Sequence, residues 1–100
     1  MRVAIIGGYE RGESALGRVA ERLGHEYEFH PGHTAGRGSD EIRRLIARAD
    51  CVVIVTDVNS HNAVKVARVE AQRLGRKVHL MRRIGTGGLA RLLQDAAAAA

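Results

Sequence analysis

The sequence predicts an α/β domain: a small Rossmann-like or flavodoxin-like four-stranded parallel sheet, strand order 2-1-3-4, with helices on both faces. Three observations predict it. Short apolar runs alternate with amphipathic segments of helical period; each changeover falls at a glycine, a turn cluster or a capping residue; and Cys51 to Val55 is apolar throughout, as a strand covered on both faces must be. Consecutive parallel strands need a connection of helix length, and right-handed crossovers then fix the layout.

Arg2 to Ile6 form the first strand, ended by Gly7-Gly8, a break that only glycine makes cheaply. A helix follows from about Glu13 to Leu23, because Leu16, Val19, Ala20 and Leu23 share one face and Gly24 stands where a C-terminal cap belongs. Glu26 to His30 reads as the second strand. The polar, glycine-rich stretch Pro31 to Ser39 reads as a loop, with Ser39 or Asp40 capping a second helix that runs to about Ala49 over an Ile42, Leu45 and Ile46 stripe. After the strand Cys51 to Val55, Asn59 or Ser60 caps a third helix, about His61 to Leu74, which Gly75 ends. Val78 to Met81 is the fourth strand. The Gly85-Thr86-Gly87-Gly88 turn leads into a last helix that starts near Leu89 and that the five terminal alanines either extend or leave frayed.

One hundred residues suffice for a single Rossmann-like domain, 1–100, so a site must be built on one core or shared with a second copy. With 45% hydrophobic and 27% charged residues the chain is neither disordered nor collagen-like. It lacks the roughly 18 to 20 consecutive apolar residues of a membrane span and the basic-then-apolar start of a signal peptide, so a cytoplasmic protein is expected. The single cysteine, Cys51, excludes an internal disulfide and a multi-cysteine zinc site, in keeping with a reducing compartment. Net charge is +5, and all of the cations except Lys65 and Lys77 are arginine, whose planar fork suits carboxylate and phosphate. A GC-rich genome accounts for the same arginine surplus without a partner. Nucleic acid is disfavoured: the basic residues scatter over three helices, and Tyr9, Tyr27 and Phe29 are the only aromatics.

Parallel sheets of this order bind ligands beyond the carboxyl ends of their strands, near the reversal between strands 1 and 3. Those loops hold His30, His33 and His61 together with Arg37, Asp57, Asn59, Asn62, Arg82 and Arg83. His25 falls at the opposite end, and His79 lies within the fourth strand as a core or edge side chain. Capping explains Asn59 and Ser60 but not His61, whose place at a helix start keeps its ring neutral and able to ligate a metal. His30 and His33, three residues apart, can chelate one ion but lack a third local ligand, and a solvated loop histidine is the plainer reading of His33.

Gly7 to Gly12 lacks the G-x-G-x-x-G spacing and carries Glu10 where a pyrophosphate would be repelled, which disfavours a dinucleotide redox enzyme. Arg82-Arg83-Ile84-Gly85-Thr86-Gly87-Gly88 sets two guanidinium groups beside a helix N-terminus, better chemistry for an anion although it lacks a Walker ending. No nucleophile and base are paired, so catalysis is not expected.

The strand ending in Ile6-Gly7-Gly8, the His33-Thr34-Ala35-Gly36-Arg37 loop, the apolar strand running into Thr56-Asp57-Val58-Asn59-Ser60-His61-Asn62, and the arginine after the last strand together resemble the bacterial domain-of-unknown-function family 2325. The likeness covers nearly the whole chain, and Thr-Asp followed by Ser-His-Asn is its most specific part. Members commonly have Val-Ser-His-Asn where this chain has one residue more. The resemblance implies that His33, His61 and Arg82 or Arg83 belong to one site.

Two imidazoles without a thiolate fit a closed zinc site poorly, whereas haem iron needs only one or two axial imidazoles, with arginines on its propionates. The leading expectation is a haem-binding protein that binds or senses oxygen or another small gas, with iron ligated by His33 or His61 and contacts from Arg37, Arg82, Arg83, Tyr9, Gly8 and Asn62. A haem is large for 100 residues, so a homodimer is expected with it. The alternatives are a non-enzymatic nucleotide or anion module built on Arg82, Arg83 and the Gly85 to Gly88 turn, and a histidine-based transition-metal site.

Overall fold

The computed structural model describes residues 1–8, 10–57 and 59–98. Its elements run β1 (Arg2–Ile6), α1 (Glu10–Arg22), β2 (Glu26–His30), α2 (Gly38–Arg48), β3 (Cys51–Val55), α3 (His61–Arg73), β4 (Lys77–Met81) and α4 (Thr86–Ala98). All strand pairs are parallel and the sheet order is β2-β1-β3-β4, as the alternation predicts.

The pleat divides the core in two. Ala4, Ile6, Val52 and Ile54 face α2 and α3, where they meet Ile42, Ile46, Ala63 and Ala67; Val3, Ile5, Val53 and Val55 face the other way, under Leu16 and Ala20 of α1 and Leu89 and Leu93 of α4. β3 is buried on both faces along its whole length, which is why its sequence is unbroken apolar. Gly24 and Gly75 end α1 and α3 at positive φ, each with the next residue's amide bonded back five residues, His25 to Ala20 and Arg76 to Ala71.

Besides α1, which begins at Glu10 rather than about Glu13, two helix starts differ from expectation. The residue before α2 is Arg37, which makes no side-chain cap, and Ser39 and Asp40 lie inside the first turn rather than capping it. α4 begins at Thr86, so Gly87 and Gly88 are helical instead of forming a turn; burial of Leu89 and Leu93 on the sheet extends the helix back over two residues of poor propensity. The third start agrees: the Ser60 hydroxyl accepts the Ala63 amide at 3.0 Å. Ala98 is still helical, and Ala99 and Ala100 lie outside the described residues.

The two sheet edges are unlike. β2 carries Glu26 and Glu28, paired with Arg2 and Arg48, whereas beside β4 the side chains of Leu80 and Val69 stand 49% and 56% exposed. Among the described residues no helix is long and apolar enough to cross a membrane.

Candidate functional site at the carboxyl rim of the sheet

The loops after the four strands meet at one rim, and its two sides are built differently. On the β2 side, Asn59 is the central tie. Its amide nitrogen donates to the carbonyls of Val55 (2.8 Å) and Ile6 (3.2 Å), and its oxygen accepts the Ser60 amide at 2.9 Å. Ser60 in turn donates its hydroxyl to the Gly32 carbonyl at 2.9 Å, and Asn62 donates to Thr34 Oγ1 at 3.0 Å. The His33 loop and the start of α3 are thereby stitched together. Gly7 and Gly32 both have φ of +95°, and a Cβ on either would overlap Asn59, so these two glycines are required by packing.

Within this side stands a cluster that the sequence shows only in part. His30 ends β2 at 5% exposure; its Nδ1 accepts the Gly32 amide at 3.1 Å, and its Nε2, which has no hydrogen-bond partner among the described residues, lies 3.5 Å from Glu41 Oε1. The His33 ring centroid is 4.8 Å from that of His30. Burial holds the His30 imidazole below its usual range, against the pull of Glu41. One potential ligand atom from each of His30, His33 and Glu41 lies within 4.8 Å of the other two, and among the described residues no other group of three such side chains gathers in this way.

The β4 side is open. The Thr56 and Asp57 amides donate to the Met81 and Arg82 carbonyls at 2.8 and 3.0 Å, aligning the ends of β3 and β4. Asp57 then receives Arg83 Nε at 3.0 Å and Arg82 Nε at 3.4 Å, and the Arg83 hydrogen bond is the main cause that holds its carboxyl below the usual carboxylate range. Beside this trio a crevice of about 700 Å³ runs between α1 and α4. Leu16, Phe29, Val55 and Ile84 make its wall apolar; Gly7, Gly8, Gly12, Gly85 and Thr86 bring backbone to its surface. A Cβ added at Gly8, Gly12, Gly85, Gly87 or Gly88 would meet nothing within 4 Å. Unlike Gly7 and Gly32, these glycines have no packing neighbour that excludes a side chain.

Each expected site residue can now be placed. His33 and His61 lie at the same rim and both are exposed, but His33 groups with His30 and Glu41, while His61 lines a groove of about 670 Å³ along α3 with Asn59, Lys65 and Arg68. Arg82, Arg83 and Gly8 line the crevice; Asn62 is engaged with Thr34, and Arg37 is exposed ahead of α2. Tyr9 lies outside the described residues. No described histidine lines the crevice. His79 lies in β4 as expected, yet its buried Nε2 has no partner, and burial lowers its pKa.

Sequence reasoning missed Glu41. An acidic residue in a first helical turn is accounted for by the helix dipole, so nothing marked it as a ligand, and eight residues separate it from His33. The one available signal was its chemistry: the third ligand that His30 and His33 lacked.

The model of a family described as uncharacterized protein conserved in bacteria (DUF2325) matches residues 2–96. A UPF0751 protein of Desulfitobacterium hafniense strain Y51 is 29% identical over 96 residues, covering 94% of this chain and 92% of the relative. Another UPF0751 protein, from strain DSM 10664 / DCB-2 of the same species, is 24% identical over 90 residues, 89% of this chain and 88% of the relative. No solved structure matches the chain significantly.

Proposed function

The chain belongs to the bacterial family DUF2325 of uncharacterized proteins, and on that footing we propose that it is a non-enzymatic binding module for an amphipathic anion, one with a flat apolar body and a carboxylate or phosphate group. The observation that carries this reading is the crevice: apolar along Leu16, Phe29, Val55 and Ile84, guanidinium-bearing at Arg82 and Arg83, and bordered by Gly12 and Gly85, which no packing contact demands. Apolar contact would hold the body, and charge-assisted hydrogen bonds would orient the acid group.

Two ligand sources share that chemistry. A haem offers propionates and a nucleotide offers phosphates. With haem, the iron would supply the chemistry for binding oxygen or another small gas, and Arg82 and Arg83 would hold the propionates. His33 and His61 stand exposed at the rim, so an imidazole reaching an iron in the crevice would come from a second copy. The exposed Leu80 and Val69 beside the unpaired edge of β4 support such a homodimer. Cytoplasmic residence belongs to the same reading and rests on the lone cysteine.

Haemin titration followed by absorption spectroscopy, set beside thermal-shift measurements with mononucleotides, tests the reading. We expect saturable binding of one class, weakened about tenfold or more when Arg82 and Arg83 are both changed to alanine. A Soret band moved by His33→Ala or His61→Ala selects haem; stabilisation by nucleotide on a colourless protein selects the other source. Failure of both titrations, or equal binding by the double arginine variant, overturns the proposal.

A further inference from the structure

A second site stands apart from the crevice, on the opposite side of the rim. We infer that His30, His33 and Glu41 form a binding site for a first-row divalent transition metal, held by two imidazoles and one carboxylate. The donor set is the first reason: imidazole and carboxylate suit zinc, cobalt, nickel or ferrous iron, and three protein ligands leave further positions open to solvent.

Geometry is the second. Two donors bound to one ion at roughly 2.0–2.1 Å in tetrahedral arrangement stand about 3.4 Å apart. His30 Nε2 and Glu41 Oε1 already lie 3.5 Å apart. One donor atom from each of the three residues lies within 4.8 Å of the other two, and His33 is exposed.

The third reason is independent of the cluster. His30 is 5% exposed, and its Nε2 is buried with no hydrogen-bond partner among the described residues and lies 3.5 Å from Glu41 Oε1. A buried polar atom without a partner carries an energetic cost that a bound ion would remove. In the protein without metal, Nδ1 accepts the Gly32 amide, so Nε2 carries the ring proton. Metal binding displaces that proton to solvent. The neutral ring then carries its hydrogen on Nδ1, which faces the Gly32 N–H as donor against donor, so the Gly32 peptide must turn. Site formation is thus coupled to the turn that Ser60 holds through the Gly32 carbonyl.

Titration of the tag-free chain with Co²⁺ and Zn²⁺ tests the site, because cobalt held by nitrogen and oxygen donors shows visible d–d bands and zinc displaces it. One ion per chain is expected, with the Gly32 amide resonance shifting in step with binding. His33→Ala and Glu41→Gln, both exposed positions, should each weaken binding about tenfold or more, with unchanged melting in the absence of metal, while His61→Ala should bind as the parent does. Absence of stoichiometric binding overturns the assignment. So does binding unaffected by His33→Ala and Glu41→Gln, or binding lost with His61→Ala.

Discussion

The two sides of the rim show how one set of loops can be closed in one place and left open in another. On the β2 side Asn59, Ser60 and Asn62 spend their polar groups on the backbone of neighbouring loops, and Gly7 and Gly32 leave no room beneath them. On the β4 side the two arginines pair, among the described residues, with Asp57 at the surface, and a Cβ on Gly12 or Gly85 would face empty space. The difference teaches that glycine alone is not a functional signal. What distinguishes the crevice is glycine at 12 and 85 without a packing reason, next to strongly exposed guanidinium groups.

The sharpest way to break the comparison is to exchange glycines across it. Gly32→Ala meets both positive φ and overlap with Asn59, so it should destabilise the fold by roughly 3 kcal/mol, read as a lower urea midpoint. Asn59→Ala abandons the Val55 and Ile6 carbonyls and should cost about 2 kcal/mol by the same measurement. If both variants proved neutral, the closed side would be no more constrained than the open one.

Acid should act next. Burial holds the folded pKa of His30 and of His79 below the unfolded value, so the unfolded chain takes up protons first. Their contribution is complete above roughly pH 6.5 and is lost as pH falls below it. Urea midpoints should fall between pH 7.5 and pH 5.5, and His30→Asn should flatten that dependence; an equally steep fall in the variant would assign the effect elsewhere.

On the open side the effects on stability shrink. Arg82→Ala with Arg83→Ala should change stability by less than about 1 kcal/mol, because both side chains are strongly exposed and their pairs with Asp57 are screened. Smallest, and opposite in sign, is Gly88→Ala: alanine favours helix and meets no neighbour, so α4 should gain roughly 0.5 kcal/mol or slightly more. A lower urea midpoint in this variant would overturn the expectation.

Most of the architecture was legible in the sequence because it rests on period and burial. Cys51 to Val55 could only be a doubly covered strand, and Gly24 and Gly75 marked helix ends through a conformation that other residues avoid. The start of α4 was not legible. Gly87 and Gly88 read as a turn by propensity, and the packing of Leu89 and Leu93 that decides otherwise is not local. The rim was legible as a place, from His30, His33, His61, Arg82 and Arg83. Which of them stand together depends on side-chain directions: His33 turns toward Glu41, and His61 toward Lys65 and Arg68.

The arginine pair leaning on Asp57 has one more consequence. Under the proposed function, an anion arriving at the crevice would meet guanidinium groups that Asp57 touches through Nε alone, so the carboxylate would act as a nearby like charge that weakly opposes every ligand. A lone chloride or acetate would have only charge to set against that repulsion, whereas an anion with an apolar body would add burial to it. Selectivity at such a mouth would then come from what the resident acid turns away.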